Sequence, residues 1–241
     1  MEKYCEKGSK RMLQLLMNER PEKLDDLFEP NLKRISPTKD KKGIFHEHQL
    51  NNKDVMDQLL LKKGVWKDFW PTKQPTWDGI LINKNGKENF DTVYLIEAKS
   101  HINEPFRRSN RKKELSKKQE DNDEMISNSI QSVAKSTYGV EIEQNDENWM
   151  IKYYQVANRL AFQQKLKELL GIKVKLFFLN FINDPSWNEN KKIGNWEDKY
   201  NKVFKDMKLD RECVENQKDV NIVYVDALSF EKINNDVVYE H

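Results

Sequence analysis

Asp78, Glu97 and Lys99 are three charged side chains whose types and spacing could carry one reaction. Asp78 lies in Thr76-Trp77-Asp78-Gly79-Ile80, and the other two in Leu95-Ile96-Glu97-Ala98-Lys99-Ser100. If both segments are strands, Glu97 and Lys99 stand two apart and project from one face. Residues 83–89, with Asn85-Gly86, read as a hairpin loop. Antiparallel pairing across that hairpin would bring Asp78 beside Glu97. Two adjacent carboxylates repel unless a cation sits between them. Mg²⁺ or Mn²⁺ suits such a pair, because a hard ion takes one or two carboxylates and keeps several waters. The carbonyl of Ala98 could supply a further oxygen ligand. A metal there would acidify a bound water and offset charge on a phosphate. Lys99 would hold the attacking water or neutralise the charge that develops. The competing reading is a strand-end salt bridge at the surface, worth ~0–1 kcal/mol.

The elements that must position these groups can be read from periodicity and punctuation. Residues 9–28 read as a helix interrupted at Pro21, and residues 30–43, with Pro30, Pro37 and Gly43, as a loop. Residues 44–62 read as a second helix on Phe45, Val55, Met56, Leu59 and Leu60, stopped by Gly64. Three short strands follow, over 65–70, 76–82 and 92–98. The last is nearly continuous and apolar, as a strand covered on both faces would be. Residues 103–124 form a charged insert, 124–137 a short helix ended by Gly139, and 149–170 the strongest helix, closed by Gly171. A buried strand over 174–182, a helix over 196–208 and a strand over 220–228 complete the order. The expected fold is α/β, a central mixed β-sheet flanked by helices. One domain is expected over 1–241, with 1–43 as a helical extension, 44–182 as the core and 183–241 as a terminal helix and strand.

Composition narrows the function classes. The 42 Lys and Arg against 40 Asp and Glu leave a charge of only +2, so any basic footprint for a nucleic acid must be local. No stretch approaches the ~20 apolar residues of a membrane span, and the first ten residues lead into no apolar signal core. Cys5 and Cys213 are too few and too distant for a disulfide framework or a zinc cluster, which makes a reducing cytoplasm the simplest setting. The eight glycines form neither G-x-G-x-x-G nor a P-loop, and G-x-S-x-G is absent.

Asp78 followed by Glu97-x-Lys99 resembles the PD-(D/E)XK, or restriction-endonuclease-like, nuclease superfamily. Trp77, not Pro, precedes Asp78, so the literal dipeptide is missing. Tyr153-Tyr154-Gln155-Val156-Ala157-Asn158-Arg159-Leu160-Ala161, on a helix feeding the strand 174–182, is similar to the later helix–strand unit of that superfamily. Gln155 and Arg159 are four apart and share a helix face. Together, WDG, IEAKSH and YYQVANRLA resemble a bacterial group within the superfamily, over roughly residues 45–182. The resemblance implies Mg²⁺- or Mn²⁺-dependent hydrolysis of nucleic-acid phosphodiesters, with DNA preferred to RNA as partner. It implies Asp78 and Glu97, with the Ala98 carbonyl, as metal ligands, and Lys99 as the group acting on water or charge. Gln155 and Arg159 would orient phosphate or the ligands. It also implies an acidic residue on the helix before the first strand. Glu47 is the candidate for that assisting metal ligand, with Glu29 as its rival. A homodimer would suit cutting of both strands of a duplex. The alternative is a catalytically silent module of the same fold that binds nucleic acid or a protein.

Other features have plainer readings. His46 and His48 diverge on a helix and lack the zinc spacing, so they read as exposed histidines. The basic run from Arg107 to Lys118 could follow a phosphate backbone or simply be solvated. Trp66, Trp70 and Trp77 read as core before they read as base-stacking groups.

Overall fold

The computed structural model describes residues 3–83, 90–102, 116–187 and 193–231. The chain opens with α1 (Gly8–Glu19) and α2 (Pro21–Leu27). Pro21 occupies the first turn of α2, where its missing N–H costs nothing, and so restarts the helix. The next elements are β1 (Leu32–Ser36), β2 (Thr38–Lys39), β3 (Phe45–His46), β4 (His48–Gln49) and α3 (Lys53–Gln58). They are followed by β5 (Thr76–Trp77), β6 (Gly79–Asn83), β7 (Thr92–Lys99) and α4 (Lys117–Tyr138). A π-helical turn (Glu147–Lys152) leads into α5 (Tyr154–Leu170) and β8 (Lys173–Ile182). The described chain ends with α6 (Ile193–Asp206), α7 (Arg211–Gln217), β9 (Val220–Asp226) and α8 (Leu228–Glu231).

Five strands form one mixed sheet in the order β1-β6-β7-β8-β9, with helices on both faces. The pairs β1–β6 and β6–β7 are antiparallel, and β7–β8 and β8–β9 are parallel. All eight residues of β7 are buried, which accounts for its apolar run. Val93 and Leu95 face the core beneath α5, with Ala157, Leu160 and Phe162. Tyr94, Ile96 and Ala98 face the opposite core, with Met12, Leu13 and Leu16 of α1. Gly139 and Gly171 end α4 and α5 in the left-handed conformation, at φ 68° and 65°. Among the described residues no helix is long and apolar enough to cross a membrane.

Several sequence expectations are corrected. Residues 30–43 are not a loop throughout: β1 is an edge strand of the main sheet, so part of the supposed extension completes the core. Residues 44–62 are not one helix but two short strands and α3, whose start is fixed by Asn52 accepting from Asp54 N at 3.0 Å. Residues 65–70 are a helical turn, not a strand. The Trp70 and Phe69 amides both donate to Trp66 O, at 2.9 and 3.1 Å. Trp66, Phe69 and Trp70 thereby share one side and close on Phe162 of α5, with ring centroids 5.6, 5.2 and 4.8 Å away. The helix expected over 124–137 begins earlier, at Lys117, where the Gln119 side chain accepts from Ser116 N at 2.9 Å. The helix expected over 149–170 is broken at Tyr153 by the π-helical turn. Most of the basic run and the Asn85-Gly86 loop lie outside the described residues, except that Lys117 and Lys118 open α4.

Candidate active site

Glu97 and Lys99 sit at the carboxyl end of β7, on the face that packs against α5. Asp78 lies where the chain changes sheets. Trp77 pairs with His48 in a two-stranded ladder, and Gly79 pairs with Ile96 in the main sheet. The backbone cannot follow both ladders at once, so the Asp78 side chain extends the second: its Oδ2 accepts from Ala98 N at 2.7 Å. The amide and carbonyl of one strand residue point to the same side. The Ala98 carbonyl therefore also faces the gap beyond the start of β6. Gly79 is required by close approach. A Cβ there would sit 3.0 Å from Ile96 Cδ1 and Met17 Cε and 3.1 Å from Ile96 Cβ.

Glu97 is 2% exposed and fully engaged. Its Oε1 accepts from Lys99 Nζ in a short contact and from Gln155 Nε2 at 2.6 Å. Its Oε2 accepts from Arg159 Nε at 2.6 Å, with the second guanidinium nitrogen at 2.5 Å. Gln155 and Arg159 come from the first turns of α5, and their i, i+4 spacing aims both at one carboxylate. Arg159 is in turn fixed by three groups. It donates to Thr76 O at 2.9 Å and to Asn158 Oδ1 at 3.2 Å, and its guanidinium lies 4.5 Å from the centre of the Trp77 ring. WDG thus combines an aromatic shelf for arginine, the carboxylate and a close-packing glycine.

Glu47 is close to this group, though not from a helix. It lies between β3 and β4. Glu47 directly precedes His48, the partner of Trp77, and its charge bears on Asp78. Its carboxylate lies 3.2 Å from Lys10 Nζ of α1. Glu29 does not join the site. It binds Lys175 at 2.8 Å and lies by Asn83, at the far end of β6 from Asp78. His46 and His48 hydrogen-bond Asp40 and Thr38 respectively, at 3.0 and 2.6 Å.

The charges are unevenly compensated. Burial, and next the charge of Glu97, push the Asp78 carboxyl up to about 7, with Glu47 adding to the rise. Asp78 is half-buried, with Oδ2 held by the Ala98 amide. Burial also opposes the charge on Glu97, yet Arg159 and then Lys99 outweigh it and hold that carboxyl below its ordinary value. Burial opposes charge on Lys99 as well, but Glu97 and Asp78 outweigh it and raise its pKa, so the ammonium stays protonated near neutrality.

Metal fit can be judged from this donor set. Among the described residues no group of three or more His, Cys, Asp or Glu forms a ready cage. Mg²⁺ does not need one, since one or two carboxylates and water suffice. The Asp78 carboxyl, raised by burial and next by neighbouring negative charge, is the group a divalent cation would relieve. The oxygens of Asp78 and Glu97 with the Ala98 carbonyl are all hard donors, and they fit Mg²⁺ or Mn²⁺.

Reasoning from sequence missed Lys10, Thr76, Asn158 and Asn180. Asn158 stands directly beside Arg159, the one local signal among them. Asn180 of β8 is the register partner of Lys99; its Oδ1 accepts from Tyr200 at 3.0 Å and its Nδ2 donates to Phe178 O at 3.0 Å. It braces the strand beside the site. Comparison with protein-family models, curated proteins and solved structures finds no match to this chain.

Proposed function

We propose that the protein is a metal-dependent nuclease on a restriction-endonuclease-like core, hydrolysing phosphodiester bonds of nucleic acid, with DNA preferred to RNA. The observation that carries this reading is the convergence, at the end of β7, of the half-buried Asp78 with a Glu97 and a Lys99 that are both buried. A surface ion pair would not bury Glu97 and Lys99. Asp78, Glu97 and the Ala98 carbonyl would hold Mg²⁺ or Mn²⁺, with Glu47 beside Asp78 as a ligand through water. Bound there, the cation would lower the pKa of a coordinated water and offset phosphate charge. Lys99, protonated because two carboxylates face it, is suited to stabilising negative charge on the phosphate rather than to removing a proton. Gln155 and Arg159 orient Glu97, and Arg159 screens its charge until the cation arrives.

A second reading has one observation in its favour. Both Glu97 oxygens already receive donors from Lys99, Gln155 and Arg159, as in a site closed for stability. A silent nucleic-acid or protein-binding module would look this way. Calorimetric titration with Mg²⁺ and Mn²⁺, on the wild type and Asp78→Ala, separates the two, paired with cleavage assays on plasmid, linear duplex and single strands. The nuclease reading expects metal binding that Asp78→Ala removes, and cleavage that falls about 100-fold or more in a folded Lys99→Ala variant. Near-normal cleavage by folded Lys99→Ala would overturn it. Absence of metal binding with a duplex present would favour the silent module.

A further inference from the structure

We propose that Trp187, His101 and Lys7 form a stacking platform for an unpaired nucleobase beside the Asp78, Glu97 and Lys99 centre. The substrate would then present a single-stranded nucleotide next to the bond that is cut. This rests on the nucleic-acid reading above and adds the substrate class to it.

Three segments distant in sequence meet at the edge where the parallel strands β7 and β8 end, the edge at which ligands bind open parallel sheets. His101 stands two residues beyond Lys99. Trp187 follows the end of β8, the strand that pairs Asn180 with Lys99. Lys7 immediately precedes α1, and Lys10 of α1 reaches Glu47. The indole and imidazole centroids are 5.0 Å apart at an interplanar angle of 51°, and Lys7 Nζ lies 6.0 Å from the indole centre. Lys7 is exposed, and His101 and Trp187 are half-buried, so the group reaches solvent.

The segment bearing the indole is braced. Asp184, 4% exposed, accepts from Ser186 N at 2.9 Å and from Ser186 Oγ at 2.6 Å. Trp187 N donates to Asp184 O at 3.1 Å. Gly8 N donates to Ser186 Oγ at 3.0 Å, which ties this turn to the start of α1. Gly8 has φ 77°, and a Cβ on it would lie 3.7 Å from Trp187 Nε1. An aromatic surface fixed in advance loses little freedom when a ligand stacks on it. Every base has a π-face, and a neighbouring cation favours the phosphate that comes with it. Bases inside a duplex have both faces covered, so the platform selects an unpaired one.

The test is fluorescence anisotropy of the full chain with a labelled twelve-nucleotide oligothymidylate and with its blunt duplex. EDTA is present, so binding is read apart from metal and turnover. Trp187→Leu should weaken single-strand binding about tenfold and leave the duplex nearly unchanged. A single abasic site moved along the strand should weaken wild-type binding at one position and have no such effect on Trp187→Leu. Equal strand affinities for wild type and variant would overturn the platform. So would an abasic penalty that persists in the variant, or no retention of the strand by the wild type at low salt. If Trp187→Leu does not fold, His101→Ala with the same strands gives the same readout, with a several-fold loss expected. Failure of the nuclease reading looks different: the abasic coupling is present, yet Mg²⁺ supports no cleavage of any strand.

Discussion

Replacing Arg159 with leucine tests how the candidate site holds its charges. Arg159→Leu removes two guanidinium contacts to Glu97 Oε2, the donor to Thr76 O and the cation above the Trp77 ring. Glu97 stays buried and keeps Lys99 and Gln155 on its other oxygen. Breaking a buried ion pair costs about 3–5 kcal/mol. The remaining lysine compensates part of this, so the lower end, about 3 kcal/mol, is expected. The sign with pH follows from Glu97. Its folded pKa lies below the ordinary value of 4.5, so the stabilisation is complete above 4.5 and is lost as pH falls toward the folded value. Arg159→Leu removes the largest source of that depression. Its cost should therefore be greatest near neutrality and shrink in acid. Urea unfolding of both proteins at pH 7 and pH 4, without added metal, measures this. A loss under about 1 kcal/mol at pH 7, or a loss that grows in acid, would refute the claim that Arg159 is the main counter-charge of Glu97.

Two further perturbations probe the frame. Gly79→Ala forces a methyl against Ile96 Cβ, which is fixed to the central strand and cannot swing away; destabilisation of about 1–3 kcal/mol is expected, and thermal unfolding at or above the wild-type midpoint would contradict the close-packing role. Asp206 accepts from Lys152 and Tyr153, both at 2.6 Å, and these bonds bring its carboxyl down to about 2. Because that folded value lies below the ordinary 3.8, the stabilisation is present above 3.8 and disappears as pH falls through about 2. Asp206→Asn should therefore lower the unfolding midpoint at pH 7 and lose its effect near pH 2; a pH-independent difference would show that the contact to the π-helical turn is not ionic.

Much of the candidate site is legible because its signals are local. The apolar run of β7 ends in Glu97 and Lys99, two apart on one face. Gln155 and Arg159 are one helical turn apart, and Gly139 and Gly171 mark helix ends wherever they occur. Each of these is settled within a few residues by pleat, helical repeat or the allowed φ of glycine. The 65–70 turn and the strands before residue 50 are misjudged for the opposite reason. They are too short for periodicity to accumulate, and what selects their conformation is the surface they meet. Trp66, Phe69 and Trp70 turn helically onto Phe162, and β1 is extended because β6 offers an open edge.

What the sequence by itself determined is therefore which chemical groups are present and which neighbours share a face: a carboxylate, then a carboxylate and an amine two apart, then an amide and a guanidinium four apart. Only the tertiary structure decided that the guanidinium closes on Glu97, that Thr76 O holds it, and that Glu47 comes near Asp78 from the link between two short strands rather than from a helix. Arg159 and Thr76 are 83 residues apart, and Glu97 and Arg159 are 62 apart. No local preference spans such distances; contacts of that range form only when the burial of two faces of one sheet leaves those segments a single place to lie.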